Sequence, residues 1–154
     1  MPGPFPSLKI SQATEMTEQL YQACQRLVPQ LTSNNPPPTP RELALMFSTG
    51  SSTLYLAAHG DYQDDIVGMA TLILYRVPTG MRAIIEDLVV DARARGKYIG
   101  ESLIRACLEQ AEAAGASQVM LTSNPGRTAA NRLYQRMGFE LRKTNVYRYT
   151  FKRR

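Results

Sequence analysis

The run Asp87-Leu88-Val89-Val90-Asp91-Ala92-Arg93-Ala94-Arg95-Gly96-Lys97-Tyr98-Ile99-Gly100-Glu101-Ser102-Leu103-Ile104 concentrates this chain's capacity for chemistry. An apolar, β-branched stretch enters a short basic turn containing glycine, and the turn opens into an amphipathic helix. Such a junction gathers backbone N–H groups, a helix N-terminus and the cations Arg95 and Lys97 around one point, which suits a phosphate or diphosphate. The spacing is neither G-x-G-x-x-G nor G-x-x-x-x-G-K-[ST]. A dinucleotide on a Rossmann turn and a nucleoside triphosphate on a P-loop are therefore not expected.

Three further side chains are chemically interesting. Glu86 and Asp87 are the only acidic pair inside a predicted core strand. Regular alternation puts Ile84, Glu86, Leu88 and Val90 on one face and Ile85, Asp87 and Val89 on the other. At most one of the two carboxylates then points at a shared ligand, unless the strand bulges. Tyr134 shares a helical face with Ala130, Leu133 and Met137, which by itself reads as a core aromatic. Cys24 and Cys107 fall among apolar helical residues and read as small buried hydrophobes, with reduced thiols. The single His59 has no Cys/His cluster around it, so no metal site is expected.

The elements that must position these groups follow from periodicity and punctuation. A first strand is expected over 7–14. Leu20, Cys24, Leu27, Val28 and Leu31 give a helix from Thr17 to Leu31 one buried face. Pro36-Pro37-Pro38 breaks the chain, and Thr39, Pro40 and Glu42 form a start signal for a second helix reaching about Phe47. Ser52–His59 and Ile66–Val77 read as antiparallel strands across the polar loop Gly60–Asp65. The acidic Asp61–Asp65 stretch reads as solvated loop charge, or as an attractor for a polycationic acceptor. Met81–Val90 is the next strand. A helix from Gly100 to Ala114 faces inward through Ile99, Leu103, Cys107, Leu108 and Ala111, with Glu101, Arg105 and Glu109 as an exposed ladder. Val119–Leu121 is a short buried strand, Thr128–Met137 a helix that Gly138 ends, and Phe139–Lys143 with Val146–Phe151 a closing strand pair. Strand, crossover helix and strand over 81–123 make part of the sheet parallel. The expected fold is α/β: a mixed, mostly antiparallel central sheet with helices on both faces.

The basic junction resembles the acyl-CoA-binding motif of the GNAT N-acetyltransferase superfamily, Arg/Gln-x-x-Gly-x-Gly/Ala after the fourth strand. Arg95, Gly96, Lys97, Ile99 and Gly100 fit; Tyr98 stands where the first glycine is usual. If that position needs φ > 0, a tyrosine there incurs about 1–2 kcal/mol. Ala129 to Phe139 is similar to the family's late helix, with its Tyr-x-x-x-Gly-Phe ending at Tyr134, Gly138 and Phe139. Many members carry Asn seven residues before that tyrosine; Arg127 here resembles a known variant. The resemblance covers about residues 7–151.

It implies a GNAT-like fold with acetyl-CoA as cosubstrate. Leu88, Val89, Val90, Arg95, Gly96, Lys97, Tyr98, Ile99, Gly100 and Glu101 would hold it, with Arg127 and Asn131 as further contacts. The pantetheine arm would insert between splayed fourth and fifth strands. It further implies Tyr134 as the acid for the departing thiolate, Glu86 as base or amine anchor and Asp87 lining the acceptor pocket. The leading reading is transfer of acetyl from acetyl-CoA to a primary amine of a small molecule, by direct attack in a ternary complex. The alternatives are a peptide or protein N-acetyltransferase, acting at an N-terminus or a lysine, and a non-catalytic CoA-binding regulatory module.

Length and composition are compatible. The chain has 154 residues, enough for one domain over 1–154 with a flexible 1–6 lead and a basic 152–154 tail, and 44% of its residues are hydrophobic. The charge balance of 18 − 13 = +5 suits an anionic ligand. The scatter of basic residues and the absence of any reading motif argue against nucleic acid. No apolar run approaches the length of a membrane span, and Met1–Pro6 lacks the character of a signal peptide. A cytoplasmic monomer or homodimer is the expectation.

Overall fold

The computed structural model describes residues 7–153, so the lead expected over 1–6 and the last residue of the basic tail lie outside the described residues. The chain divides into two compact units, Met1–Thr122 and Ser123–Arg154.

The first unit contains β1 (Leu8–Ala13), α1 (Glu18–Leu31), α2 (Pro40–Met46), β2 (Ser52–His59), β3 (Asp65–Val77), β4 (Gly80–Val90), α3 (Ile99–Ala113) and β5 (Val119–Met120). Both early helices start where the sequence signals them. Thr17 Oγ1 accepts the Leu20 N–H at 3.1 Å. Thr39 and Glu42 close a reciprocal capping box at 3.2 and 2.8 Å, with Pro40 in the first turn. The five strands lie in the order β1-β2-β3-β4-β5, antiparallel up to β4 and parallel between β4 and β5, across the α3 crossover.

Alternation along β2 explains the layering. Leu54 and Leu56 join Leu20, Cys24 and Leu27 of α1 and Leu43 of α2 in one core. Gly68 of β3, paired with Ala57 of β2, lies instead against Ile99 and Leu103 of α3. Helices therefore cover both faces of the sheet. Each fully buried leucine in these layers contributes about 1.5–3 kcal/mol relative to exposure. On α3 the inward residues are Ile99, Leu103, Ile104, Cys107 and Ala111. Ile104 replaces the expected Leu108, because the buried stripe follows the 3.6-residue turn around the helix.

Two irregularities interrupt the ladders. One extra residue, Val67, stands between the pairs Ala57–Gly68 and Ala58–Ile66. The other matters more: Met69 pairs with Val89 and Thr71 with Glu86, so two residues of β4, Asp87 and Leu88, oppose the single Ala70. That is a β-bulge, and Asp87 carries its strain at φ +50°.

In the second unit, Asn124 Oδ1 accepts the Gly126 N–H at 2.8 Å and its carbonyl accepts the Arg127 N–H at 3.0 Å, a turn that feeds α4 (Thr128–Arg136). The closing strand pair expected over Phe139–Lys143 and Val146–Phe151 is not formed; residues 139–153 make no ladder. Leu141, Val146, Tyr147, Tyr149 and Phe151 are all exposed. Their β-branched and aromatic character gives strand propensity, but a strand exists only where a neighbouring edge supplies hydrogen bonds.

Candidate functional site

The strand bulge decides where the acidic pair points. The pairing of Glu86 with Thr71 and of Val89 with Met69 puts Glu86 and Val89 on the sheet face that carries α1 and α2. Leu88 and Val90 move to the α3 face. The regular alternation expected from the sequence, with Glu86, Leu88 and Val90 together, is therefore corrected by one inserted residue. Glu86 and Asp87 are both exposed. Among the described residues neither carboxylate makes a hydrogen bond or ion pair. The pair is thus available to a ligand rather than spent on local structure.

β5 pairs with β4 only at Ala83–Val119 and Ile84–Met120. Beyond Ile84 the β5-side edge of β4 has no ladder partner among the described residues. Leu88 and Val89 are buried through their side chains, so what they and Val90 offer along this open edge is backbone. The open stretch leads directly into the basic turn.

That turn is shaped by three local devices. Asp91, only 4% exposed, accepts the Arg93 N–H at 3.2 Å and opens a single 3-10 turn over Ala92–Ala94. Gly96 takes φ +79°, and a side-chain carbon at that position would meet nothing within 4 Å, so glycine is required there by backbone conformation alone. Tyr98 then adopts φ +61°, ψ +18°, the left-handed conformation that its position in the motif foreshadowed. Its ring is 56% exposed and its side chain does not cap the helix. The N–H groups of Ile99 and Gly100 open α3 without acceptors inside the helix, and the helix dipole adds to their pull on an anion.

Charge in the turn is distributed unevenly. Arg93 bonds Asp91 at 3.0 Å and Asp65 at 2.8 Å. Arg26 of α1 reaches the same two carboxylates at 3.4 and 3.3 Å. Lys97 bonds Asp61 at 2.9 Å. Among the described residues Arg95 forms no ion pair, so it is the turn's uncommitted cation. Burial pushes the Asp91 carboxyl up, but the Arg93 amide and guanidinium and the Gln30 side chain outweigh it and hold the carboxyl below its usual range. The Asp65 carboxylate raises Arg93, and the Asp61 hydrogen bond raises Lys97. The acidic loop is consequently bound to the basic turn rather than simply solvated. Sequence reading missed this partnership. The signal was present as complementary charge, Asp61 and Asp65 in one loop and Arg93 and Lys97 in the turn after β4.

The second unit carries the remaining candidates on α4. Asn131 donates its N–H to the Arg127 carbonyl at 3.0 Å and its side-chain amide to the Asn124 carbonyl at 3.0 Å, bracing the turn before the helix. Arg127 is the N-cap residue. Tyr134 is buried at 6% exposure, edge-on to Phe139 with ring centroids 5.9 Å apart. Burial raises its phenol, partly offset by Arg127, so it carries its proton at neutral pH. Burial also pushes the Cys107 thiol up to about 12, which makes it a core side chain rather than a nucleophile. Among the described residues no three His, Cys, Asp or Glu side chains are grouped to hold a metal ion, and no helix is long and apolar enough to cross a membrane.

Comparison with known proteins gives the family. The model of the acetyltransferase (GNAT) family matches residues 15–139, and the chain belongs to that family. A stretch of 105 residues is 32% identical to N-acetyltransferase family 8 member 3 of Rattus norvegicus, covering 63% of this chain and 45% of that protein. Another of 81 residues is 36% identical to mycothiol acetyltransferase of Renibacterium salmoninarum, covering 51% of this chain and 24% of that protein. The chain thus matches less than half the length of either relative. Among solved structures, a Trypanosoma brucei acetyltransferase superposes with a TM-score of 0.73 at 25% identity, over 93% of this chain and 99% of that one. An aminoglycoside acetyltransferase from an uncultured soil metagenomic sample, in complex with sisomicin, gives 0.79 at 20% identity over 94% and 97%, a likeness of fold.

Proposed function

We propose that the protein moves an acetyl group from acetyl-CoA to a primary amine of a small molecule, by direct attack in a ternary complex. The observation that carries the reading is the open β4 edge running into the uncapped start of α3. Few ligands other than an acyl-CoA have an amide-bearing arm that can add along a strand edge and end in a diphosphate suited to a helix N-terminus. Leu88 and Val90 would meet the arm through their backbone groups, and Arg95 with the amides of residues 96–101 would meet the diphosphate. Arg127 and Asn131 are assigned to further cofactor contact.

Acetyl-CoA supplies the activated acetyl group. The chain's residues must then manage two protons. A lysine-like amine with a pKa of about 10.4 lies about 3.4 units from neutrality at pH 7, worth about 4.6 kcal/mol. Glu86 would accept that proton, directly or through water, or anchor the amine, with Asp87 as a further contact to the acceptor. Tyr134, kept protonated by burial, is the donor to the departing sulfur. The 36%-identical stretch shared with mycothiol acetyltransferase, an enzyme named for a small acceptor, favours a small molecule over a peptide.

The test is thermal. Acetyl-CoA at a hundredfold excess over its dissociation constant stabilises the fold by about 2.7 kcal/mol. Gly100→Glu, which sets a carboxylate against the diphosphate, abolishes the shift. A melting temperature indifferent to millimolar acetyl-CoA and CoA refutes the reading. Acetylation of members of an amine panel, followed by thiol release, identifies the acceptor.

A further inference from the structure

The β2–β3 loop is fastened to the phosphate turn at two points, and one ring takes part in both. At the first, the Tyr62 hydroxyl donates to the Arg93 carbonyl at 2.7 Å. The Arg93 guanidinium lies 5.2 Å from the centre of the Tyr62 ring while bonding Asp91 and Asp65. At the second, Lys97 Nζ bonds Asp61 at 2.9 Å and lies 5.9 Å from the same ring. Asp61 is itself steadied, since its N–H donates to Nδ1 of the buried His59 at 3.2 Å. Residues 93 and 97 bracket Arg95 and Gly96, the centre of the turn.

Isolated exposed ion pairs contribute little, so the Lys97–Asp61 pair alone does not explain the arrangement. A hydroxyl bonded to the turn's backbone and a ring beneath two of its cations do more. They restrict a segment that Gly96 would otherwise leave free to sample several conformations. A turn already held in its binding conformation loses less entropy when a ligand arrives.

We propose that Tyr62 is a positioning residue for acyl-CoA: with Asp61 it clamps the turn at residues 93 and 97, fixes the amides that follow Gly96 and leaves Arg95 as the cation presented to the diphosphate. In this arrangement Lys97 is a strut, not a phosphate ligand. The inference rests on the acyl-CoA reading above and adds a residue from a loop outside the turn.

The test compares CoA with pantetheine, which lacks the diphosphate. Dissociation constants are measured for the parent, Tyr62→Phe, Asp61→Asn and Lys97→Ala, by calorimetry for CoA and ligand-observed NMR for pantetheine, with melting temperature as the control for folding. Tyr62→Phe keeps the ring and loses one hydrogen bond. It is expected to weaken CoA about 3- to 10-fold, the range for a single such bond, and to leave pantetheine unchanged. Asp61→Asn and Lys97→Ala each weaken CoA, and combining them adds no further loss, because both break the same strut. A Tyr62→Phe variant that binds CoA like the parent overturns the inference. So does equal loss of CoA and pantetheine, which marks general loosening, and so does tighter CoA binding by Asp61→Asn, which marks Lys97 as a ligand held back by its partner. A parent chain that binds neither compound refutes the acyl-CoA reading itself; the other failures leave that reading standing.

Discussion

Gly68→Ala tests whether packing behind the phosphate turn controls it. Gly68 sits in the middle of β3, where sequence offers no reason for glycine, at a negative φ that alanine adopts freely. A methyl group there meets Ile99 Cγ2 at 3.0 Å, Leu103 Cδ1 at 3.1 Å and the Val89 carbonyl at 3.4 Å. Leu103 can turn its far methyl aside. Ile99 has little such freedom, because a β-branched residue in a helix keeps essentially one χ1 rotamer. Ile99 is also the first residue of α3, so relieving the contact displaces the helix start whose amides are proposed to bind the diphosphate. Inserting a methyl into a tight core costs about 1–3 kcal/mol, and replacing a strand glycine returns about 0.5–1 kcal/mol of backbone entropy. The net is a destabilisation of up to about 2.5 kcal/mol, a fall in melting temperature of up to about 10 °C for a chain of this size. CoA affinity should fall as well. Ile99→Leu removes the offending branch, so the double variant Gly68→Ala/Ile99→Leu should be less destabilised than the sum of the singles, measured by chemical denaturation. Strictly additive effects, or a Gly68→Ala protein more stable than the parent, refute the reasoning.

Three other perturbations address the proposed chemistry and its support. Tyr134→Phe keeps the ring and its contact with Phe139, so stability and acetyl-CoA affinity should hold while the single-turnover rate falls about 10²–10⁴-fold; an unchanged rate leaves water as the proton donor. Glu86→Gln should depress kcat/KM most at neutral pH and recover at high pH, where the amine is already neutral; a pH-independent loss makes Glu86 an anchor, and no loss removes it from the site. Asp91, held below the usual carboxylate range, contributes stability that is complete above the unfolded value of about 3.9 and disappears as pH falls through it toward the folded value. Asp91→Asn should therefore be about 1–3 kcal/mol less stable at pH 7 and show a flatter acid limb below about pH 4, read from melting temperature against pH.

Much of the architecture was legible because its causes are local. Thr17, Thr39, Pro40 and Glu42 announce their helices through bonds within a single turn, and the observed caps use those atoms. The mixed sheet followed from a crossover helix flanked by two apolar strands, since connection length alone forbids an antiparallel hairpin there. The Arg95–Gly100 junction was readable for the same reason: a strand, a glycine turn and a helix start bring backbone N–H groups together, whatever lies further away.

What depended on distant partners was not legible. Phe139–Lys143 and Val146–Phe151 have the composition of strands, yet form none, because composition does not supply a pairing edge. The bulge at Asp87 comes from the register of β4 against β3, a property of two strands together, and it moved Leu88 and Val90 away from Glu86. The commitment of Arg93 to Asp65 and of Lys97 to Asp61 arises from a loop about thirty residues earlier in the chain, brought alongside by the sheet. The sequence by itself determined the elements, the glycine turn and the presence of three cations within it. Only the tertiary structure decided which cation is left without an ion pair among the described residues and which face Glu86 occupies. Pairing energy depends on what folding sets within a few ångströms, and neither propensity nor spacing along the chain contains that distance.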